Sequence, residues 1–286
     1  MKPVVLIENV SRVFRGFLGL RRVCAVRDLS IEVRPGEIFG LLGPNGSGKT
    51  TTIQMLMGLL APTAGRIEVF GASPRSRAVR RRVGFLPEEF AGQNFLSGEE
   101  NLLFYGGFFG LSRSEVKGRA EALLKSLDLW DDRSRRLREY SKGMRRRIGL
   151  AQSLLHDPEL IVLDEPTNGL DPLGIRTVKR MLLDLRARGR TLIISSHILG
   201  EMEGLCDRIA LIDRGSVLIE GRLPDLLVRP DCHRIKLRGK VPAAEDLSRA
   251  LADKDLRLES IESDRTSLEE FFLRTIDERR SARPAE

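Results

Sequence analysis

Gly43-Pro44-Asn45-Gly46-Ser47-Gly48-Lys49-Thr50 is the stretch of this 286-residue chain that decides its fold. It fits the pattern G-x-x-x-x-G-K-[ST], a loop whose backbone cradles nucleotide phosphates. The glycines let the backbone turn tightly and bring its N–H groups close to anionic oxygens. Lys49 supplies a mobile charge for the outer phosphates, and the hydroxyl of Thr50 is suited to ligate Mg²⁺. We therefore expect this loop and the following Thr51 to bind a nucleotide.

The segments on either side of the loop support this prediction. Residues 37–42 are mostly apolar, as in a buried parallel strand, and residues 51–60 are long and apolar enough for a helix. The N-terminus of such a helix would face the phosphates and favour their negative charge. The alternative is a chance glycine loop, which should arise in a chain of this length about one time in a hundred.

Composition leaves the partner of the chain open. The formal net charge is +8, which is compatible with nucleic acid, with an anionic membrane, or with an ordinary solvated surface. The start of the chain lacks the pattern of a secretory signal, and no window approaches the roughly 20 apolar residues of a spanning helix, so we expect another chain to supply any membrane part. The cysteines and histidines are widely spaced, as in a cytoplasmic protein without a metal motif. They are Cys24, Cys206, Cys232, His156, His197 and His233.

Strand patterns alternate with helix patterns on both sides of a purely helical region. The alternation predicts an α/β fold with a mainly parallel sheet around the phosphate loop, and an additional antiparallel β subdomain. Between residues 88 and 155 the strand patterns disappear, and two capping boxes mark helix starts, Ser97 with Glu100 and Ser112 with Glu115. This region is predicted to be an inserted helical lobe. Its arginine runs, residues 133–136 and 145–147, are expected to form a solvated face, with contact to lipid head groups or acidic partner segments as the alternative.

A second chemical cluster follows the helical lobe. The apolar run 160–163 predicts a strand buried on both faces, and it ends in Asp164-Glu165. Hydrolysis at a phosphate loop needs a carboxylate on the metal and a group that orients the attacking water. We assign the first role to Asp164 and the second, as general base, to Glu165. His197 follows the next predicted strand, 191–195, at the same edge of the sheet, although a lone histidine is more often structural.

These motifs resemble the ATPase subunit of an ATP-binding cassette transporter over roughly residues 4–228. Tyr140-Ser141-Lys142-Gly143-Met144 stands where that family has its Leu-Ser-Gly-Gly-Gln signature, of which only Ser141 and Gly143 are retained. The resemblance implies that these two residues approach the γ-phosphate of a nucleotide. It also implies that Asn168-Gly169-Leu170-Asp171 is the D-loop, with Asp171 near the nucleotide.

Three further residues receive roles from the same resemblance. His197 matches the switch histidine of the family and is placed in the catalytic site. Phe14 is the candidate for the aromatic ring that stacks on adenine, with core packing as the alternative. Glu88 stands where the family has a glutamine, and a carboxylate there could contact both Mg²⁺ and the nucleotide.

A subgroup of the family is similar in its details. Pro87-Glu88-Glu89, the Tyr-Ser-Lys-Gly-Met form of the signature and the tail segment 267–272 resemble export ATPases of the daunorubicin-resistance and sodium-export type. This resemblance implies ATP and Mg²⁺ as ligands, and a second ATPase subunit, identical or a paralogue, that closes around two ATP. It implies a separate polytopic permease, a cytoplasmic location at the inner face of the membrane, and no nucleic acid partner. The alternatives are a soluble cassette ATPase acting on nucleic acid or the ribosome, and a nucleotide-binding regulator that does not hydrolyse ATP.

The expected domain organisation follows from these patterns. Residues 1–228 form the nucleotide-binding domain, with the helical lobe at about 88–155, and residues 229–286 form a C-terminal accessory region. In this last region, Ser267 with Glu270 predicts a short helix.

Overall fold

The structure, a computed structural model, describes residues 2–15, 22–90, 92–227 and 244–252. The chain divides into two compact units, residues 1–227 and residues 228–286. The first unit contains two sheets and the helical lobe. In the second, the structure describes one helix, Ala244–Ala252. The helix expected near Ser267 lies outside the described residues.

The smaller sheet is antiparallel. Its strands are β1 (Val5–Arg15), β2 (Arg22–Val33) and β4 (Ala64–Val69), in the order β2-β1-β4. Both pairings of β1 are antiparallel and are interrupted by register shifts near Val10 and Ser11. The antiparallel subdomain expected from the sequence is therefore present.

The larger sheet has six strands in the order β5-β6-β7-β3-β8-β9. Its first five strands are parallel, and the last two form an antiparallel hairpin that turns at Arg214 and Gly215. The strand bounds are β3 (Ile38–Leu42), β5 (Val83–Leu86), β6 (Leu160–Asp164), β7 (Thr191–Ser196), β8 (Arg208–Asp213) and β9 (Ser216–Arg222).

Alternate residues of the central strands pack into two separate cores. In β6, Leu160 and Val162 join the core shared with the antiparallel sheet, whereas Ile161 and Leu163 join the core shared with the helical lobe. Successive side chains of a strand point to opposite faces, so a strand covered on both faces must be apolar throughout. The continuous apolar runs in the sequence therefore mark the strands that hold the site.

The helical lobe forms as its capping signals predict. Helices α3 (Gly98–Gly106) and α4 (Arg113–Ser126) each begin with a complete capping box, at Ser97 and Ser112. Helix α5 (Lys142–Leu154) begins at Ser141, whose hydroxyl accepts a hydrogen bond from the N–H of Met144.

The remaining helices of the first unit are α1 (Lys49–Leu56), α2 (Arg77–Arg80), α6 (Pro172–Ala187) and α7 (Leu223–Leu227). Helix α1 ends earlier than residue 60, because Gly58 takes a left-handed backbone at φ +67°. Helix α6 begins with Asp171 as its N-cap and Pro172 in its first turn.

The prediction of a solvated arginine face is wrong for part of residues 145–147. Arg146 is 5% exposed, whereas Arg135 and Arg136 are exposed as expected. Helix α5 packs against β5 and α3. Three consecutive residues cover most of a helical turn, so at least one of the three arginines must point toward these neighbours. The buried guanidinium donates its hydrogen bonds to backbone carbonyl oxygens.

Candidate functional site

The candidate site lies at the carboxyl edge of the parallel sheet, where β3, β6 and β7 end beside one another. Leu42 of β3 is opposite Ser196 of β7, and Ser195 of β7 is opposite Asp164 of β6. The loop that follows β3 is the phosphate loop, and the residue that follows β7 is His197. Parallel strands thus bring together motifs that are far apart in the sequence, at the edge where α/β folds bind their ligands.

Two glycines of the phosphate loop are required by close backbone approaches. A Cβ atom on Gly43 would lie 2.1 Å from the carbonyl oxygen of Ile212, and one on Gly48 would lie 2.5 Å from that of Ala25. Both glycines also have positive φ, +153° and +109°. Gly48 is the N-cap of α1, and no side chain caps that helix. Its first-turn N–H groups therefore have no side-chain acceptor and point toward the space that the loop encloses.

Lys49 spans its own loop. Its ammonium group is buried and donates hydrogen bonds to the carbonyl oxygens of Gly43, at 2.7 Å, and Pro44, at 3.1 Å. The same Nζ atom lies 3.8 Å from Oε1 of Glu165. The ammonium is therefore held within reach of both the loop and the acid that follows β6.

Ser195 organises the two acidic residues. Asp164 is 1% exposed and Ser195 is fully buried. The hydroxyl of Ser195 donates to Oδ1 of Asp164 and accepts the N–H of Glu165 at 2.9 Å. Glu165 has a left-handed backbone, with φ +52°, a conformation that is costly for a residue with a side chain and occurs often at functional sites.

His197 contacts the proposed general base. Its Nδ1 atom lies 2.8 Å from Oε2 of Glu165, and a carboxylate can only accept, so the imidazole donates through Nδ1. The Glu165 side chain is thus held between Lys49 and His197. Two residues further on, the hydroxyl of Thr167 donates to the carboxylate of Glu201, which ties the loop after β6 to the loop after β7 a second time.

The site fits a nucleotide with Mg²⁺. The hydroxyl of Ser47 is buried, and no described residue forms a hydrogen bond with it. Together with the uncapped N-terminus of α1 and the ammonium of Lys49, it forms a set of donors suited to phosphate oxygens. The carboxylate of Asp164 and the hydroxyl of Thr50 are the hard oxygen ligands that Mg²⁺ prefers.

Glu88 follows a different strand, β5, from Asp164 and Glu165, which stand at the end of β6. It is exposed just beyond the end of β5, and its backbone carbonyl accepts a hydrogen bond from Arg146 at 2.8 Å. Among the described residues there is no group of three or more acidic, histidine or cysteine side chains that could hold a metal. A direct role of the Glu88 side chain at the metal or nucleotide stays a prediction.

Among the other predicted residues, Ser141, Asp171 and Phe14 are exposed, whereas Gly143 is half-buried. Ser141 is exposed at the N-terminus of α5, and the position of Gly143 is close to Gly169 and Leu170, where a Cβ would meet both at 3.4 Å. Asp171 is exposed, and its Oδ1 accepts the N–H of Gly174 at 2.9 Å.

Phe14, near the end of β1, is 38% exposed, with the guanidinium of Arg12 4.7 Å from its ring centroid. The alternative of core packing for Phe14 is therefore wrong, and its ring is accessible for stacking.

Three participants were missed by sequence reasoning: Ser195, Arg146 and the Thr167–Glu201 pair. A signal existed for Ser195, because it interrupts an apolar strand immediately before the edge of the sheet. No local signal identifies Arg146, since helical periodicity alone does not say which arginine of a run faces the strands.

Comparison with known proteins places these motifs in one family. Residues 26–168 match the family model described as ABC transporter. An uncharacterized ABC transporter ATP-binding protein of Synechocystis is 36% identical over 302 residues, covering 96% of this chain and 85% of that protein. The Nod factor export ATP-binding protein I of Paraburkholderia xenovorans is 40% identical, covering 77% of this chain and 73% of that protein.

A solved structure of similar fold agrees with these relatives. It is an ATP-binding subunit of an ABC transporter, with 30% sequence identity and a TM-score of 0.69, and the match covers 78% of this chain and 91% of that one. Within the part of the chain described here, no helix has the length and hydropathy needed to cross a membrane.

Proposed function

This chain belongs to the ABC transporter family as one of its ATP-binding, ATP-hydrolysing subunits, and we propose that it powers an export system through a separate membrane permease. Two features support export. One is the subgroup resemblance carried by residues 87–89 and 140–144, and the other is the 40% identity to a Nod factor export protein. The proposed place of work is the cytoplasmic face of the membrane.

The observation that carries the catalytic proposal is the convergence of the phosphate loop, Asp164, Glu165 and His197 at one edge of the sheet. The first-turn amides of α1 and the ammonium of Lys49 would bind the phosphates of ATP, in exchange for the present contacts of Lys49 with its own loop. Thr50 and Asp164 would hold Mg²⁺, which supplies positive charge to the phosphate oxygens when bound. Glu165 would take a proton from the attacking water, with its carboxylate oriented by His197.

The signature residues are proposed to act on a second subunit. Ser141 and Gly143 lie at the N-terminus of α5, where Ser141 is exposed and the helix dipole favours an anion. In a head-to-tail pair, identical or with a paralogue, each α5 would complete the ATP site of the other subunit. Closure around two ATP and reopening after hydrolysis would then provide the mechanical stroke.

The permease is proposed to dock between the sheet and the helical lobe. A cavity of about 330 Å³ lies there, lined by the end of α1, by Phe85 of β5 and by Phe108 and His156 of the lobe region. Phe104, Phe108 and Leu59 are large apolar residues that remain exposed, at 48%, 69% and 65%. An apolar helical segment of the permease would cover them, since exposed patches of this kind commonly mark protein contacts.

The experiment that tests the catalytic and dimer assignments uses Glu165→Gln. Glutamine keeps the size of the side chain but cannot take a proton from water, and loss of a general base costs about 10²–10⁴-fold in rate. ATP binding should survive, and the closed dimer should accumulate in size-exclusion chromatography with ATP and Mg²⁺. The matched control, Glu165→Gln with Ser141→Arg, should elute as a monomer because arginine fills the partner's phosphate site.

Normal hydrolysis by Glu165→Gln would remove Glu165 from the mechanism. A slow variant that stays monomeric with ATP would retain the chemistry but contradict closure by this chain alone.

A further inference from the structure

A buried arginine joins three parts of the candidate site. The guanidinium of Arg146, on α5, donates through Nη1 to the carbonyl oxygens of Pro87, at 2.6 Å, and Glu88, at 2.8 Å. Through Nη2 it donates to the carbonyl oxygen of Asp164. Arg146 is only 5% exposed, although arginine is rarely buried without a charged partner in direct contact.

The three contacts connect helix α5 to the segment after β5 and to the end of β6. Pro87 and Glu88 follow β5, Asp164 ends β6, and Arg146 is carried by the helix that begins at Ser141. A guanidinium is planar and rigid, so its contacts fix the positions of the groups they join more firmly than a lysine ammonium could. The arrangement couples the proposed metal ligand to the helix proposed to face the partner subunit.

The charge of Arg146 is balanced by the acids of the site. Burial lowers the pKa of Arg146 to about 10, and the nearby carboxylates of Asp164, Glu88 and Glu165 act in the opposite direction. Arg146 is therefore a cation at neutral pH. Its burial is expensive, and the cost is offset by carbonyl contacts and by these acids rather than by one ion pair.

We propose that Arg146 is a positioning residue for ATP hydrolysis, which holds the Glu88 segment and the backbone of Asp164 in fixed relation to α5. When α5 moves with the helical lobe, the guanidinium carries the movement to both strand ends. The inference rests on the proposed roles of Asp164 and Ser141, and it adds the residue that links them.

Arg147 provides a matched control on the same helix. Its Nη1 atom also donates to two backbone carbonyls, those of Leu127 at 2.7 Å and Asp128 at 3.2 Å, but these lie within the helical lobe. Arg147→Met and Arg146→Met therefore each remove one cation and its carbonyl contacts from α5. Only Arg146→Met releases the ends of β5 and β6.

The test measures hydrogen–deuterium exchange of the full-length protein without nucleotide. In Arg146→Met, exchange should quicken by about tenfold or more in peptides covering residues 87–90 and 163–168, and Arg147→Met should quicken exchange around residues 127–130 instead. Removing a residue that holds a metal-binding residue in place typically lowers activity by 10–100-fold. The kcat of Arg146→Met should therefore fall by about that factor, while KM for ATP stays within about threefold. Arg147→Met should keep kcat within about twofold.

A second variant, Arg146→Lys, tests the proposal if Arg146→Met does not fold. Arg146→Lys retains the cation but offers one donor centre, so it should show the same two exchange changes and a smaller loss of kcat. Exchange that rises only around α5, or a kcat equal to that of Arg147→Met, would overturn the proposal. Because these exchange measurements need neither ATP nor a dimer, they are separate from the outcome of Glu165→Gln.

Discussion

Replacing Ser195 by alanine tests how the two acids of the site are held. The Ser195 hydroxyl is fully buried, donates to the carboxylate of Asp164 and accepts the N–H of Glu165 at 2.9 Å. A hydrogen bond to a charged group contributes about 1.5–3 kcal/mol, and an ordinary one about 0.5–1.5 kcal/mol. Ser195→Ala should therefore lower the free energy of unfolding by about 2–4 kcal/mol.

The expected change in melting temperature follows from the size of the unit. For a unit of 227 residues, each kcal/mol corresponds to about 2–4 °C, so Tm should fall by roughly 5–15 °C. ATP hydrolysis should also slow by about tenfold or more, because the carboxylate of Asp164 and the backbone of Glu165 lose their common support. Differential scanning fluorimetry and a phosphate-release assay with Mg²⁺ and saturating ATP measure these two effects.

Ser196→Ala is the matched control. Ser196 is the next residue of the same strand and is equally buried, but its hydroxyl contacts the nearby Ile198, accepting its N–H at 3.0 Å and donating to its carbonyl oxygen at 3.4 Å. Its loss should cost about 0.5–1.5 kcal/mol and leave the turnover number within about twofold. Equal melting temperatures and equal turnover for the two variants would refute the role assigned to Ser195.

Three further predictions concern the phosphate loop, the segment after β5 and the half-buried His156. Lys49→Ala should weaken ATP binding by about 10–150-fold, from about 1.5–3 kcal/mol of lost charge-assisted contact, and a hydrolysis rate within twofold of wild type would contradict it. Glu88→Ala should uncouple transport from hydrolysis in permease-containing vesicles while nucleotide affinity stays the same; if transport and hydrolysis both stay normal, Glu88 is ordinary surface. Burial lowers the pKa of His156 from 6.5, so the unfolded chain binds the proton more readily and stability falls as the pH drops below about 6.5. His156→Gln should flatten that dependence in urea titrations between pH 5 and 7, and identical slopes would exclude His156 as its source.

Some features of this protein follow from the sequence alone because short-range chemistry dictates them. The phosphate loop needs glycine where its own backbone has positive φ, at Gly43 and Gly48, and both capping boxes are complete within four residues. The apolar runs before Gly43, before Glu165 and before His197 predict central strands, and parallel strands bring their carboxyl ends to one edge. The fold class thus required no tertiary information, and neither did the expectation that the phosphate loop, Asp164-Glu165 and His197 meet at one edge.

Other features depend on packing between elements that are distant in the chain. Arg146 lies in a run of three arginines, and only the packing of α5 on β5 turns its guanidinium toward Pro87, Glu88 and Asp164. The bridge from Ser195 to both acids arises because β6 and β7 pair in one register, and a shift of one residue would turn that hydroxyl to the opposite face. Whether a polar side chain is buried, and which groups it then bonds, depends on where helices and strands pack against one another. No local pattern of residues specifies that packing.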